Sequence, residues 1–228
     1  MGFRNMVIIG SVILIIGHTM MGFSIIRPDV IFLGLGLIAV GTGFFKGNIT
    51  NLLGQCYDRN PDLAHMRDNG FTMFYVAVNL GSFIASILCA YVAQAFGWHY
   101  GFSLAGVGML LGLITFLTFE HVIEGAGASP KPELMKKSIF LGMTPKYFII
   151  AIGLLSAFLA SMVIASSSDL VFTVQYMFVG VIFLFYLYIA FSYNKEDRIN
   201  LLALLVLIVF LMLFFALEMQ LGSLINLF

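Results

Sequence analysis

Residues 39–53 read AVGTGFFKGNITNLL, fourteen helix-compatible, mostly small or apolar residues around one lysine. The stretch lies inside an apolar segment, 29–54, long enough to cross a bilayer as a helix, so Lys46 falls where no water is expected. On a helix Thr42, Lys46 and Thr50 follow at i, i+4 and i+8 and share one face. Ala39, Gly43 and Gly47 form a small-residue stripe beside it, which predicts close helix packing, and Asn48 and Asn51 add a polar edge. A polar stripe beside a small one predicts a helix lining a cavity inside a bundle. The alternative is a lysine that snorkels to the nearer interface. With the helix ending near Gly54, Lys46 stands ~12 Å from that end, and a lysine stem covers only part of the distance. The sequon Asn48-Ile49-Thr50 lies within the span and is no glycosylation signal there.

The rest of the chain has the same character. It is 61% hydrophobic and 10% charged with a formal net charge of zero, far from the balance of a soluble domain. Neutrality gives no footing for a nucleic-acid partner. Cys56 and Cys89 lie far apart with no metal-like or redox spacing, and both read as structural thiols. Seven segments are long and apolar enough to span: 6–25, 29–54, 69–96, 100–119, 147–167, 170–193 and 199–228. Alternating apolar residues are absent, so helices are the spanning element, and the fold class is an all-α integral membrane protein. The first apolar run has no clear cleavage site and reads as a membrane helix rather than a signal peptide.

Alternating sides with each crossing places Arg4, Arg59, Arg67, Lys131, Lys136, Lys137, Lys146, Lys195 and Arg198 on one side and only Arg27 on the other. That bias makes the first residues and the long loop 120–146 cytoplasmic, with Lys46 left inside. The loop, with its run EGAGASPKPE, has too few apolar residues to pack and is expected to be mobile. Among the acids only Glu218, in FFALEMQLGSLINLF, falls within a span. An unpaired charge at a helix centre costs at least ~2.5–3.5 kcal/mol, so Lys46 and Glu218 mark a functional interior. Gln220, Ser223 and Asn226 extend the polarity around Glu218. His18, midway along the first span, reads as a helix–helix hydrogen bond before a proton relay. Asn79, in FTMFYVAVNLGSFIAS, sits halfway along its helix beside Gly81 and Ser82, with Tyr75 one turn earlier on the same face. Its amide suits either a polar ligand or a bridge between helices.

At these residues the sequence resembles the proton-dependent oligopeptide transporter family, a branch of the major facilitator superfamily. The run Phe71-x-x-Phe74-Tyr75-Val76-x-Val78-Asn79-Leu80-Gly81-Ser82-Phe83 is similar to that family's fifth-helix motif. GTGFFKGNITNLLG resembles its fourth helix, where a lysine is followed two positions on by asparagine. RDNGFTMFY resembles the segment that joins the two, and FGWHYGF the entry to the sixth, with His99 where the family often has arginine. The resemblance implies a partial major facilitator fold in four parts. Residues 1–119 are helices three to six of the N-terminal bundle, and 120–146 are a cytoplasmic loop. Residues 147–193 are an inserted hairpin peripheral to transport, and 194–228 are the start of the C-terminal bundle with helix seven. The chain is then expected to lack the first helix, with its coupling acids, and helices eight to twelve.

The function implied is a symporter of the bacterial inner membrane that imports di- and tripeptides with protons. By resemblance Lys46, Asn79, Tyr75 and Glu218 contact substrate, and Lys46 and Glu218 couple the proton. Lys46 pairs alternately with an acid and with the peptide carboxylate, so the acid's protonation and the lysine's partner are linked. Asn79 bonds the peptide backbone or amino end, a contact independent of side chains. Glu218 stands ~30 Å along its helix from Arg198, so a direct pair with Lys46 needs the seventh helix to project into the cytoplasm; otherwise the partner is a first-helix acid. The partners implied are the peptide, the bilayer and the remainder of the transporter; no cofactor beyond protons, no metal and no enzymatic reaction is expected. A family member for another small solute, such as nitrate or modified amino acids, and a non-transporting scaffold remain alternatives.

The charge bias is directly testable in the full-length protein. A cysteine at Ser129 is expected to react with impermeant maleimide only after the membrane is opened; labelling from outside intact cells overturns the topology.

Overall fold

The computed structural model describes residues 1–123, 125–129, 133, 135 and 144–225, the last eight by backbone alone. It contains seven long helices: α1 Phe3–Gly22, α2 Val30–Arg59, α3 Arg67–Phe96, α4 Trp98–Thr118, α5 Pro145–Ala165, α6 Ser168–Ser192 and α7 Lys195–Ile225. Each is long and apolar enough to cross a membrane, as the seven-span reading expected. Their ends follow local chemistry. Pro28 separates α1 from α2, and Pro145 opens α5 at a position where a missing N–H costs nothing. Gly97, at φ +114°, joins α3 to α4 in a backbone conformation closed to other side chains. Helix α2 does not stop near Gly54 but continues to Arg59, and Asn60 leaves it in an extended conformation because it precedes Pro61. Lys46 therefore stands thirteen residues, ~20 Å, from the end of the helix rather than ~12 Å.

Residues 1–167 form one compact unit and 168–228 a second. The first is organised by backbone contact between α1 and α2. A methyl group on Gly41 would lie 2.8 Å from Leu14 Cγ and 3.1 Å from its backbone nitrogen, and one on Gly10 would lie 2.8 Å from the Phe45 nitrogen. One turn-pair along, Gly17 and Gly34 meet in the same way, each with the other's carbonyl oxygen 3.0 Å from where a methyl would stand. In a membrane, where lipid is as apolar as leucine, such contact supplies the dispersion energy that holds helices together. Around this seam α4 packs on α1, with Gly106 against His18 and Gly22 against Ser103, and α5 packs on α2, with Gly36 against the Ala157 backbone. The glycines that pack α2 are thus Gly34, Gly36 and Gly41. Gly43 and Gly47, expected to do so, have nothing within 4 Å of an added methyl, and Ala39 is exposed.

The loop after α4 corrects the sequence reading in its first part. Glu120–Ile123 forms a short 3-10 turn, and the segment that follows docks between the ends of α1 and α2 instead of moving freely. Ala126 is 1% exposed and packs with Val7 and Leu52, with Phe3, Phe45, Cys56 and Ile123 around them. Arg59 Nη1 donates to the Gly125 carbonyl at 2.6 Å, the Gly127 amide donates to Gln55 Oε1 at 2.9 Å, and the Arg4 amide donates to the Gly127 carbonyl at 3.2 Å. Arg4 also pairs with Glu120 at 2.5 Å. Two glycines with positive φ, Gly125 at +74° and Gly127 at +75°, bend the chain so that one alanine is buried by its own backbone's closeness. Apolar content is a poor guide to such a strap, because hydrogen bonds hold it. Lys131, Lys136 and Lys137, in the remainder of the loop, lie outside the described residues.

In the second unit the Tyr186 hydroxyl donates to the Leu201 carbonyl at 2.6 Å, Ala190 is fully buried, and the Arg198 guanidinium sits 5.6 Å from the Phe191 ring centre. Glu196 and Asp197 lie in the first turn of α7, where the helix dipole favours acids.

The docked strap predicts a protection pattern. With Cys56 and Cys89 replaced by serine in the full-length protein, the A126C thiol is expected to react with maleimide at least about tenfold more slowly than the A128C thiol, because position 126 is reached only by opening the strap. Adding Gly127→Val, whose side chain would stand 2.5 Å from Leu52 and 2.8 Å from the Arg4 nitrogen at a disfavoured φ, is expected to erase the difference. Equal rates before that change exclude a docked strap.

Candidate functional site

Helix α2 has three faces. Gly34, Gly41, Phe45 and Leu52 face α1; Gly36, Val40 and Phe44 face α5. The third carries Ala39, Thr42, Gly43, Lys46 and Gly47, all exposed, with Thr50 half-buried at its end. So α5, expected in a hairpin peripheral to transport, does pack on the lysine-bearing helix, but on a different face. The Lys46 ammonium has no hydrogen bond or ion pair among the described residues. Its neighbours on the face are committed inward. Thr42 Oγ1 donates to the Ile38 carbonyl at 2.8 Å, and Thr50 Oγ1 donates to the Lys46 carbonyl at 3.2 Å. Asn48, off the face, donates to the Phe44 carbonyl at 2.7 Å.

Helix α3 meets α2 near the connector that joins them, where Gly70 lies against the Tyr57 ring and Gly54 faces Phe71 and Arg67. From Tyr75 to Leu88 every residue of α3 is exposed. Asn79 Nδ2 donates to the Tyr75 carbonyl at 2.9 Å, so the two sequence-predicted residues touch through backbone of their own helix and share one exposed stretch. No hydrogen bond joins Lys46 to either of them among the described residues. Glu218 belongs to the continuous backbone of α7; its side chain, with those of Gln220 and Ser223, and Asn226 as a whole lie outside the described residues. His18, expected to bridge helices by a hydrogen bond, instead leaves a buried Nδ1 without a partner among the described residues; its Cβ packs against Gly106. The sequence reading missed the strap residues Gln55, Arg59 and Gly127; a pair of glycines around a lone alanine was the available signal. No group of three or more His, Cys, Asp or Glu suited to a metal occurs among the described residues.

Seven bilayer-length helices, one presenting an open polar face with a lysine mid-span, define a multi-pass α-helical membrane protein built on part of the major facilitator fold. Residues 4–228 match the POT family model, and the chain belongs to that family. A dipeptide and tripeptide permease B from Shigella dysenteriae is 30% identical over all of this chain, which covers 45% of that protein. A protein of the same name from Aeromonas hydrophila is 39% identical over 57% of this chain and 25% of its own length. Among solved structures, tetrameric PepTSo2 superposes with a TM-score of 0.66 at 25% identity, covering 92% of this chain and 44% of that one. A bacterial homologue of the human drug peptide transporters PepT1 and PepT2 gives a TM-score of 0.63 at 25% identity over 79% of this chain and 40% of its own. The chain thus spans less than half the length of these relatives.

Because, among the described residues, the Asn79 amide bonds only to its own helix, Asn79→Ala in the full-length protein is expected to change folding stability by less than ~0.5 kcal/mol, read as an almost unmoved thermal transition. A large drop identifies a bridge between helices instead.

Proposed function

We propose that this chain is the part of a proton-coupled importer of di- and tripeptides that carries its carboxylate-binding lysine, and that the parent protein lies in a bacterial inner membrane with Arg4, Arg59 and Glu120 at the cytoplasmic side. One observation carries the reading: Lys46 sits mid-helix on the one face of α2 that neither α1 nor α5 covers, with its ammonium unpartnered among the described residues. Held there without an acceptor, the charge would be costly in a membrane, so the face is suited to a wet cavity in which a partner is exchanged. Membership of the POT family and relatives that are named as dipeptide and tripeptide permeases support the substrate class.

In this reading the ammonium holds either an acid of the transporter or the carboxylate of a peptide. Protonation of the acid releases Lys46 to the substrate, which ties inward movement of the peptide to that of the proton. Asn79 and Tyr75 offer an amide and a hydroxyl from an exposed stretch of α3 to the peptide's backbone or amino end. Glu218 is the proton-carrying acid or a gate partner on α7. No cofactor takes part beyond the proton, and the process is vectorial rather than chemical.

Lys46→Ala in the full-length parent is expected to abolish alanyl-alanine uptake driven by a proton gradient in liposomes while expression and fold persist. Lys46→Arg is expected to be impaired too, since a wide planar cation that does not readily deprotonate cannot change partners in a narrow cavity. Uptake by Lys46→Ala at more than half the wild-type rate refutes the assignment and leaves Lys46 as a structural residue.

A further inference from the structure

We infer that Thr42 is a positioning residue for Lys46: its hydroxyl oxygen accepts from the ammonium and aims the remaining N–H groups at the substrate carboxylate. The inference rests on the proposed role of Lys46. An ammonium has three donors and no acceptor, and a carboxylate engages one or two of them. Water in the cavity can satisfy the third donor, but only an acceptor fixed to the helix also holds the ammonium in one direction. Around Lys46 the acceptors on its own face are Thr42 and Thr50.

The hydrogen bonds already described fix what each threonine offers. The Thr42 hydroxyl hydrogen is spent on the Ile38 carbonyl at 2.8 Å, so its oxygen presents only lone pairs to its surroundings. A hydroxyl held this way is an acceptor with no competing donor, which suits a cation and repels none of its hydrogens. Residues one turn apart on a helix have Cβ atoms ~5–6 Å apart, within the span of a lysine side chain. Direction then separates the two candidates. Side chains on a helix lean toward its N-terminus, so the Lys46 stem runs toward Thr42 and away from Thr50. Thr50 bonds the Lys46 carbonyl at 3.2 Å, behind the side chain rather than at its tip. Asn48 is round the helix and bound to Phe44. Thr42 is therefore the one group on this face both oriented and chemically fitted to hold the ammonium when a carboxylate arrives or leaves.

The test measures alanyl-alanine binding to the purified full-length protein by calorimetry, with the thermal transition of each variant alongside. Thr42→Val keeps the shape and removes the acceptor; it is expected to weaken binding about tenfold with the transition unmoved. Thr42→Ser, which restores the hydroxyl, is expected to bind within twofold of wild type, as is Thr50→Val. Binding by Thr42→Val within twofold of wild type overturns the inference. So does an equal loss in Thr42→Val and Thr50→Val, or a loss that Thr42→Ser fails to rescue, since either makes the effect one of helix shape. Lys46→Ala separates the two levels: if it binds alanyl-alanine normally, the lysine reading falls and this inference with it. If it loses binding while Thr42→Val does not, only the Thr42 assignment fails.

Discussion

The backbone contact of α1 with α2 is the constraint on which the first unit depends. Gly10 and Gly17 on one helix and Gly34 and Gly41 on the other bring the two main chains together at distances that no side chain allows. Once the helices lie this close, α2 has little freedom to rotate about its own axis. Its Gly36 face is then committed to α5, and the face with Thr42 and Lys46 is committed to neither. The placement of the lysine is thus a consequence of glycines on the far side of the helix. A bulky residue at Gly41 would act on Lys46 without touching it.

The strap at 125–127 closes the end of the same pair. Val7 and Leu52 come from α1 and α2, Ala126 fills the gap between them, and Arg4, Gln55 and Arg59 bind the strap's backbone from both helices. Helices that must be held close for most of their length by dispersion alone gain here a polar lock of known direction. Three hydrogen bonds and one ion pair also fix the path of the chain just after α4. The Arg4–Glu120 pair is half-exposed and contributes little on its own; the buried alanine and the backbone bonds carry the attachment.

Thr42, Lys46 and Thr50 show how a helix can be polar on one face without unsatisfied donors in its hydroxyls. Each threonine gives its hydrogen to a carbonyl one turn back, at little cost to the helix, and keeps its oxygen for the outside. The result is a face with one strong donor and two hydroxyl oxygens free to accept from it.

Much of this was legible in the sequence. The seven spans follow from length and hydropathy, because a hydrocarbon layer accepts only closed backbone structure of a set length. The shared face of Thr42, Lys46 and Thr50 follows from the helical period, and the motif around Asn79 carried the family resemblance that the match over residues 4–228 bears out. Even the end of α2 was readable at Asn60-Pro61, where the rigid ring forbids a helical predecessor; Gly54 was a weaker signal that membrane packing tolerates. What the sequence left open was which glycines of α2 would pack. Gly34, Gly36, Gly41, Gly43 and Gly47 are chemically identical along the chain, and packing belongs to a pair of surfaces, so the choice of the first three came only with α1 and α5 in place. The same holds for Ala126: alone it is one methyl group in a polar loop, and it becomes core only because two distant helices present Val7 and Leu52 to it. Composition and period determine what each segment can be, whereas burial depends on partners that sequence distance conceals.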